Sequence, residues 1–165
     1  MSVKFNVTMT AEYMCDFLMY HNYSRFSGIA GILLGIGGAI LGVFSLVNGD
    51  AQNVGIGFIA AVLFLIVTPN NTKSRAKMQV ENSTMFKKPL EYELSETGIT
   101  VRQDEVEATN TWEEFAKVVS TKKSVIVYVN RMRALIFPKA CMGDQYEAAV
   151  QMIRAHMPAK RVKIK

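Results

Sequence analysis

The chain has 165 residues, half of them hydrophobic and a fifth charged, with four prolines and two cysteines. That balance excludes a disordered or collagen-like chain and a disulfide-dense scaffold, and the length bounds the protein to one domain or two small ones. The charge is unevenly spread: residues 26–68 hold one charged side chain, Asp50, whereas residues 70–165 hold 17 of the 19 Lys and Arg and 11 of the 14 Asp and Glu.

In chain order, Val3, Phe5 and Val7 alternate with Lys4, Asn6 and Thr8, the pattern of a short strand. Thr10 predicts the cap of a following helix with Glu12 in its first turn. Met14, Phe17, Leu18 and His21 share one face of that helix, which fits either an interfacial helix or one packed on a cytosolic domain.

Phe26 to Val47 then runs without a charge. A helix of that length reaches about 33 Å, enough to span a hydrocarbon core of about 30 Å. Val54 to Thr68 is also uncharged, extends back to Ala51, and is expected to stop at Pro69. Joined by the turn-forming Asn48-Gly49-Asp50, the two stretches predict a transmembrane helical hairpin over residues 26–69. The connecting loop lacks Lys and Arg, whereas Arg25 precedes the hairpin and Lys73, Arg75, Lys77, Lys87 and Lys88 follow it. The positive-inside rule then places both termini in the cytoplasm. These five basic residues either set topology or also meet anionic lipid headgroups.

Gly28, Gly31, Gly35, Gly38, Gly42 and Ser45 fall at helical spacing on one face of the first arm. Small residues let another backbone approach closely in lipid. The stripe receives either the second arm, which offers Gly57 and Ala61, or another copy of the chain. Apart from Gln52, Asn53 and a few hydroxyl side chains such as Ser45, nothing polar lines these helices, which gives a selective pore little support.

Residues 70–88 read as a basic juxtamembrane segment, a helical extension of the second arm followed by a linker, and residues 89–165 as a cytosolic domain. Leu90, Tyr92 and Leu94 alternate with Glu91 and Glu93, and Gly98 precedes a second alternation at Ile99 and Val101, a hairpin signal. A third strand is expected over Val106–Thr111, while Trp112–Val119 is open between helix and strand. Ser124–Val129 is rich in β-branched residues, and Ala134–Phe137 returns after a turn. Asp144 and Glu147 stand at capping-box spacing ahead of a last amphipathic helix with Tyr146, Ala149, Val150, Ile153 and Met157 on its face. The tail with Lys160, Arg161, Lys163 and Lys165 follows Pro158 and is expected to be mobile. The expected fold class is an α+β membrane protein: a two-helix hairpin plus an antiparallel β domain capped by a C-terminal helix. A pleckstrin-homology-like barrel has this order of elements.

With residues 1–25 as a strand and helix ahead of the hairpin, the chain resembles the YcxB family of bacterial membrane proteins. Tyr92-Glu93-Leu94 to Gly98-Ile99, Trp112, and Ile136-Phe137-Pro138-Lys139 before the final helix carry the resemblance, through their order and spacing. It implies a pleckstrin-homology-like domain beside a membrane hairpin and no catalytic residues; the location expected for the chain is the bacterial inner membrane. The dense glycine stripe departs from a typical member. The analogy of architecture points to an immunity or envelope-stress role.

The sequence carries no GxSxG, HExxH, CxxC, Walker or dinucleotide signature. His21 and His156 are far apart, and Cys15 and Cys141 read as reduced packing residues. The expectation is therefore a protein with no catalytic residue, metal or cofactor. Mixed charge along the cytosolic segment argues against nucleic acid as a partner. The reading expected is a membrane-anchored module that binds a protein or peptide, with Trp112, Phe137 and Lys139 either contact residues or structural ones. The alternatives are a glycine-driven homo-oligomer and an anionic-lipid-binding module.

Overall fold

The computed structural model describes residues 2–164. The chain divides into two units, Met1–Phe17 with Gln79–Lys165, and Leu18–Met78. This differs from the division read from sequence: the first 17 residues stand with the C-terminal domain, because their apolar alternation completes its sheet.

That sheet is β1 (Val3–Val7), β2 (Leu90–Ser95), β3 (Gly98–Gln103) and β4 (Val106–Thr111), antiparallel in the order β1-β2-β3-β4. The ladder between β1 and β2 joins Val3 to Leu94, Phe5 to Tyr92 and Val7 to Leu90. Opposed residues share a face, so these six apolar side chains line the core while Lys4, Glu91 and Glu93 face outward. Gly98 closes the tight β2–β3 turn at φ +154°, where a Cβ would strike the Asn110 carbonyl.

The second sheet has the order β7-β6-β5-β8, with β5 (Lys117–Ser120), β6 (Ser124–Tyr128), β7 (Ala134–Pro138) and β8 (Val162–Lys163). The segment left open between helix and strand holds both: a 3-10 turn at Trp112–Glu114, then β5. A capping box forms at this turn, where Glu114 accepts the Thr111 N–H at 3.0 Å. The expected box at Asp144 and Glu147 does not form. Gly143 at φ +49° breaks the chain between a short helix α5 (Lys139–Met142) and a 3-10 turn, and the last helix starts at Tyr146 without a side-chain cap.

The basic tail is also corrected. Val162 alternates with Lys163, and β8 pairs parallel with β5, Val118 against Val162. An apolar residue between the charges was enough to dock it. Lys165 lies outside the described residues.

All five residues of β6 are buried, so both faces of this strand are covered. Val125 and Val127 oppose Phe137 and Leu135. Phe137 meets Tyr92 at 4.9 Å and Phe5 at 5.2 Å between ring centroids, both edge-on, and so ties the two sheets together. On the other face Tyr128 lies 6.2 Å from Phe17 of α1 (Ala11–Tyr23). Met14 of α1 is buried, Asp16 accepts the Thr121 hydroxyl at 2.6 Å, and Glu12 pairs with Lys123, holding that ammonium above its ordinary range. The first half of α1 is therefore a packing helix on the sheet, as one of its two readings had it. The last helix, α6 (Tyr146–His156), buries Ala149, Val150, Met152 and Ile153.

The other unit holds the helical hairpin. Helix α2 (Phe26–Val47) packs against α3 (Ala51–Val62), joined through Gly49 at φ +75° with Asp50 capping α3. Pro69 does not break the second arm, and the helical extension expected beyond it forms. The arm runs on through a π-turn at Leu63–Val67 into α4 (Thr68–Asn82), a helical stretch of 32 residues. The widened turn explains why. Pro69 has no N–H for the helical ladder and crowds the carbonyl four residues before it, and a π-turn opens the ladder there. Thr68 donates both its N–H and its hydroxyl to the Leu63 carbonyl, the latter at 2.9 Å. Both arms are long and apolar enough to cross a membrane.

Candidate functional site

The core of the sheet domain is not closed over β4. Because Tyr92, Val101 and Ala108 stand opposite one another across β2, β3 and β4, as do Gln103 and Val106, one face continues from the core onto the last strand. Along it burial falls away: Tyr92 is 3 % exposed and Val106 71 %. The result is a groove of about 290 Å³ bounded by Met9, Met85, Phe86, Val101, Val106 and Ala108 on one side and Arg133–Ile136 on the other. A concave, mostly apolar hollow with few polar groups is the usual form of a binding site.

Its polar lining is sparse. The Gln103 side-chain amide donates to the Met85 and Lys88 carbonyls at 2.7 and 3.0 Å, and the Asn110 amide donates to Glu114 at 2.9 Å. Arg133 is exposed at the rim, and its guanidinium has no ion pair among the described residues. Met132 beside it is 90 % exposed.

The opposite face of the same sheet is electrostatically self-contained. Arg102 bonds Glu93 and, at 3.2 Å, Glu107, while Lys4 lies 3.3 Å from Glu93. The Arg102 hydrogen bond holds the Glu93 carboxyl below its usual range, and Glu93 in turn holds Arg102 above its own. A face whose charges already satisfy one another offers a ligand little.

Of the candidate contact residues, Phe137 is fully buried and cannot touch a partner, and Trp112 is 7 % exposed. The Trp112 indole N–H donates to the Ser95 carbonyl at 2.9 Å and its ring stacks on His156 at 5.2 Å. Both are structural. His156 also bonds the Met152 carbonyl and, at 2.8 Å, Glu96, whose carboxyl it holds below the usual range. Lys139 is half-buried, its ammonium 5.5 Å from the centre of the Tyr146 ring. Of the two readings open for Trp112 and Phe137, burial favours the structural one: Phe137 stands on β7 and Trp112 opens the 3-10 turn after β4. The groove residues Met85, Phe86, Val106 and Ala108 were missed. The available signal was Val106, an apolar residue that starts a strand whose other side chains are mostly polar or small.

In the hairpin, Gly35, Gly38 and Gly42 are buried against the second arm. A Cβ on Gly38 would lie 2.8 Å from the Gly57 carbonyl, and one on Gly31 would lie 3.3 Å from Phe64. Gly28 and Gly31 border a second hollow of about 260 Å³ with Arg25, Ser27, Phe64 and Thr68. Lys73, Arg75 and Lys77 are exposed on α4, and Lys87 and Lys88 are exposed beyond it, Lys88 paired with Asp104 at 2.6 Å.

Residues 94–153 match the family model described as YcxB-like protein. The match runs from the end of β2 into α6, and it takes in β4, β7 and Arg133 while leaving out β1 and the hairpin. No curated protein and no solved structure matches the chain.

Proposed function

We propose that this chain is a membrane-anchored binding module. The hairpin crosses the bacterial inner membrane with both termini in the cytoplasm, and the sheet domain, a pleckstrin-homology-like barrel, takes a protein or peptide partner there. The observation that carries this reading is the open apolar groove between β4 and β7.

The anchor is supported by exposure as well as length. Leu33 and Ile40 are each 65 % exposed and Ile59 70 %, where a helix in a soluble core would hide them. Same-side termini are supported by the ladder between β1 and β2, because strands ahead of and behind the hairpin must share a compartment for it to form. The basic residues flanking the hairpin, set against a loop with none, favour the cytoplasmic side. Two antiparallel meanders followed by one packed helix support the barrel. A groove of apolar side chains with two amides, one tyrosine hydroxyl and one arginine suits recognition.

A photo-reactive amino acid at Ala108, in the groove, tests this in native membranes against the same group at Thr109, on the outer face of the same strand. One foreign protein joined in high yield from Ala108 and not from Thr109 is the expected result. Equal yields, or only self-adducts and lipid from Ala108, would remove the reading.

A further inference from the structure

β4 is the last strand of its sheet, hydrogen-bonded to β3 alone. Backbone groups of Val106–Asn110 that point away from β3 find no other backbone partner among the described residues. Natural edge strands are guarded by lysines, prolines or bulges. β4 has no lysine and no proline, and its one charge, Glu107, is held by Arg102 on the outer face. Beside this open edge, the groove receives the alternate residues Val106, Ala108 and Asn110. Arg133 is the one ionic side chain among the described residues that line it, and its guanidinium makes no ion pair with them, whereas the Gln103 and Asn110 amide N–H groups are taken up within the chain.

We propose that β4 pairs with an extended peptide segment of the partner, which adds a fifth strand to the sheet. The segment's alternate apolar side chains enter the groove, and a carboxylate it carries meets Arg133. This rests on the binding-module reading and names the partner's chemistry. Strand addition explains the edge and the groove together: main-chain bonds give affinity and alternate side chains give specificity. The positive rim supplies the charge complementarity. A fatty-acid anion would match the apolar groove and Arg133 but would leave the β4 backbone unpaired.

The test uses the full chain in nanodiscs of zwitterionic lipid. The probe is a hexapeptide library with Val, Leu, Ile or Phe at alternate positions and Glu, Gln or Lys between them, each made as the amide and as the free acid. Carboxylate-bearing members are expected to bind at least about tenfold tighter than their Lys counterparts. Amide hydrogen exchange at residues 106–110 is expected to slow when they bind. Amide peptides with Glu against free-acid peptides without it tell a side-chain carboxylate from a terminal one. Arg133→Glu is expected to invert the preference, and Val106→Asp to weaken every member, with Trp112 fluorescence reporting that both variants fold. No binder in the library, binding without slowed exchange at 106–110, or laurate binding where peptides do not would each overturn the proposal. If a partner still joins from Ala108 while the library fails, the binding-module reading stands and strand addition alone is lost.

Discussion

Phe137→Ala is expected to destabilise the sheet domain by about 3–5 kcal/mol, the cost of emptying a large aromatic site in a packed core. Its ring is fully buried and meets both Phe5 of β1 and Tyr92 of β2, so the substitution opens a cavity at the junction of the two sheets. Domains of this size are stable by only about 5–15 kcal/mol, so much of the margin is lost. Trp112 is the sole tryptophan and lies in this domain, which makes its fluorescence the readout of urea unfolding. Lys139→Ala, two residues on, serves as the control. It removes only the contact with Tyr146 and is expected to cost about 1 kcal/mol or less. A Phe137→Ala loss below about 1 kcal/mol would mean that the ring does not join the sheets.

The second large effect lies in the hairpin. A Cβ at Gly57 would stand 2.5 Å from the Gly42 nitrogen and 2.6 Å from the Gly38 carbonyl oxygen, both backbone atoms that cannot swing aside. Even Gly57→Ala must push the arms apart, and Gly57→Leu more so. Overpacking a tight contact costs about 1–3 kcal/mol, and in lipid no hydrophobic term restores it, because packing is what holds the helices. Gly55 is the internal control, with nothing within 4 Å of an added Cβ. SDS titration of the full chain in detergent should show an earlier midpoint for Gly57→Leu and an unchanged one for Gly55→Leu. Equal midpoints would show that the arms are not held by this contact.

Much of the fold was legible in the residues because period and burial agreed. The alternations at Val3–Val7 and Leu90–Leu94 lie on strands with their apolar residues inward, and Ile99–Val101 lies on the next strand with Ile99 buried and Val101 at the groove. The glycine spacing marked the face that meets the second arm. What local pattern could not give was long-range pairing. Nothing near Val3 says that its strand closes a sheet with residues about ninety positions away. Nothing near Val162 says that a basic tail has a free edge of β5 to join. The local rule makes Pro69 a stop, which a π-turn ending two residues earlier overrides. The groove was illegible for a related reason. It is made by what fails to cover β4, and an uncovered surface belongs to no single segment.

In the proposed topology, one sheet is assembled from chain segments on either side of a hairpin that crosses the membrane. Cysteine labelling in spheroplasts tests it most directly, with Cys15 and Cys141 changed to serine and a membrane-impermeant maleimide as reagent. Ala51→Cys, at the tip of the hairpin, should react from outside, whereas Ser2→Cys and Lys122→Cys, at exposed positions of the sheet domain, should react only after permeabilisation. An Ala51→Cys that stays protected, or Ser2→Cys and Lys122→Cys on opposite sides, would contradict this topology.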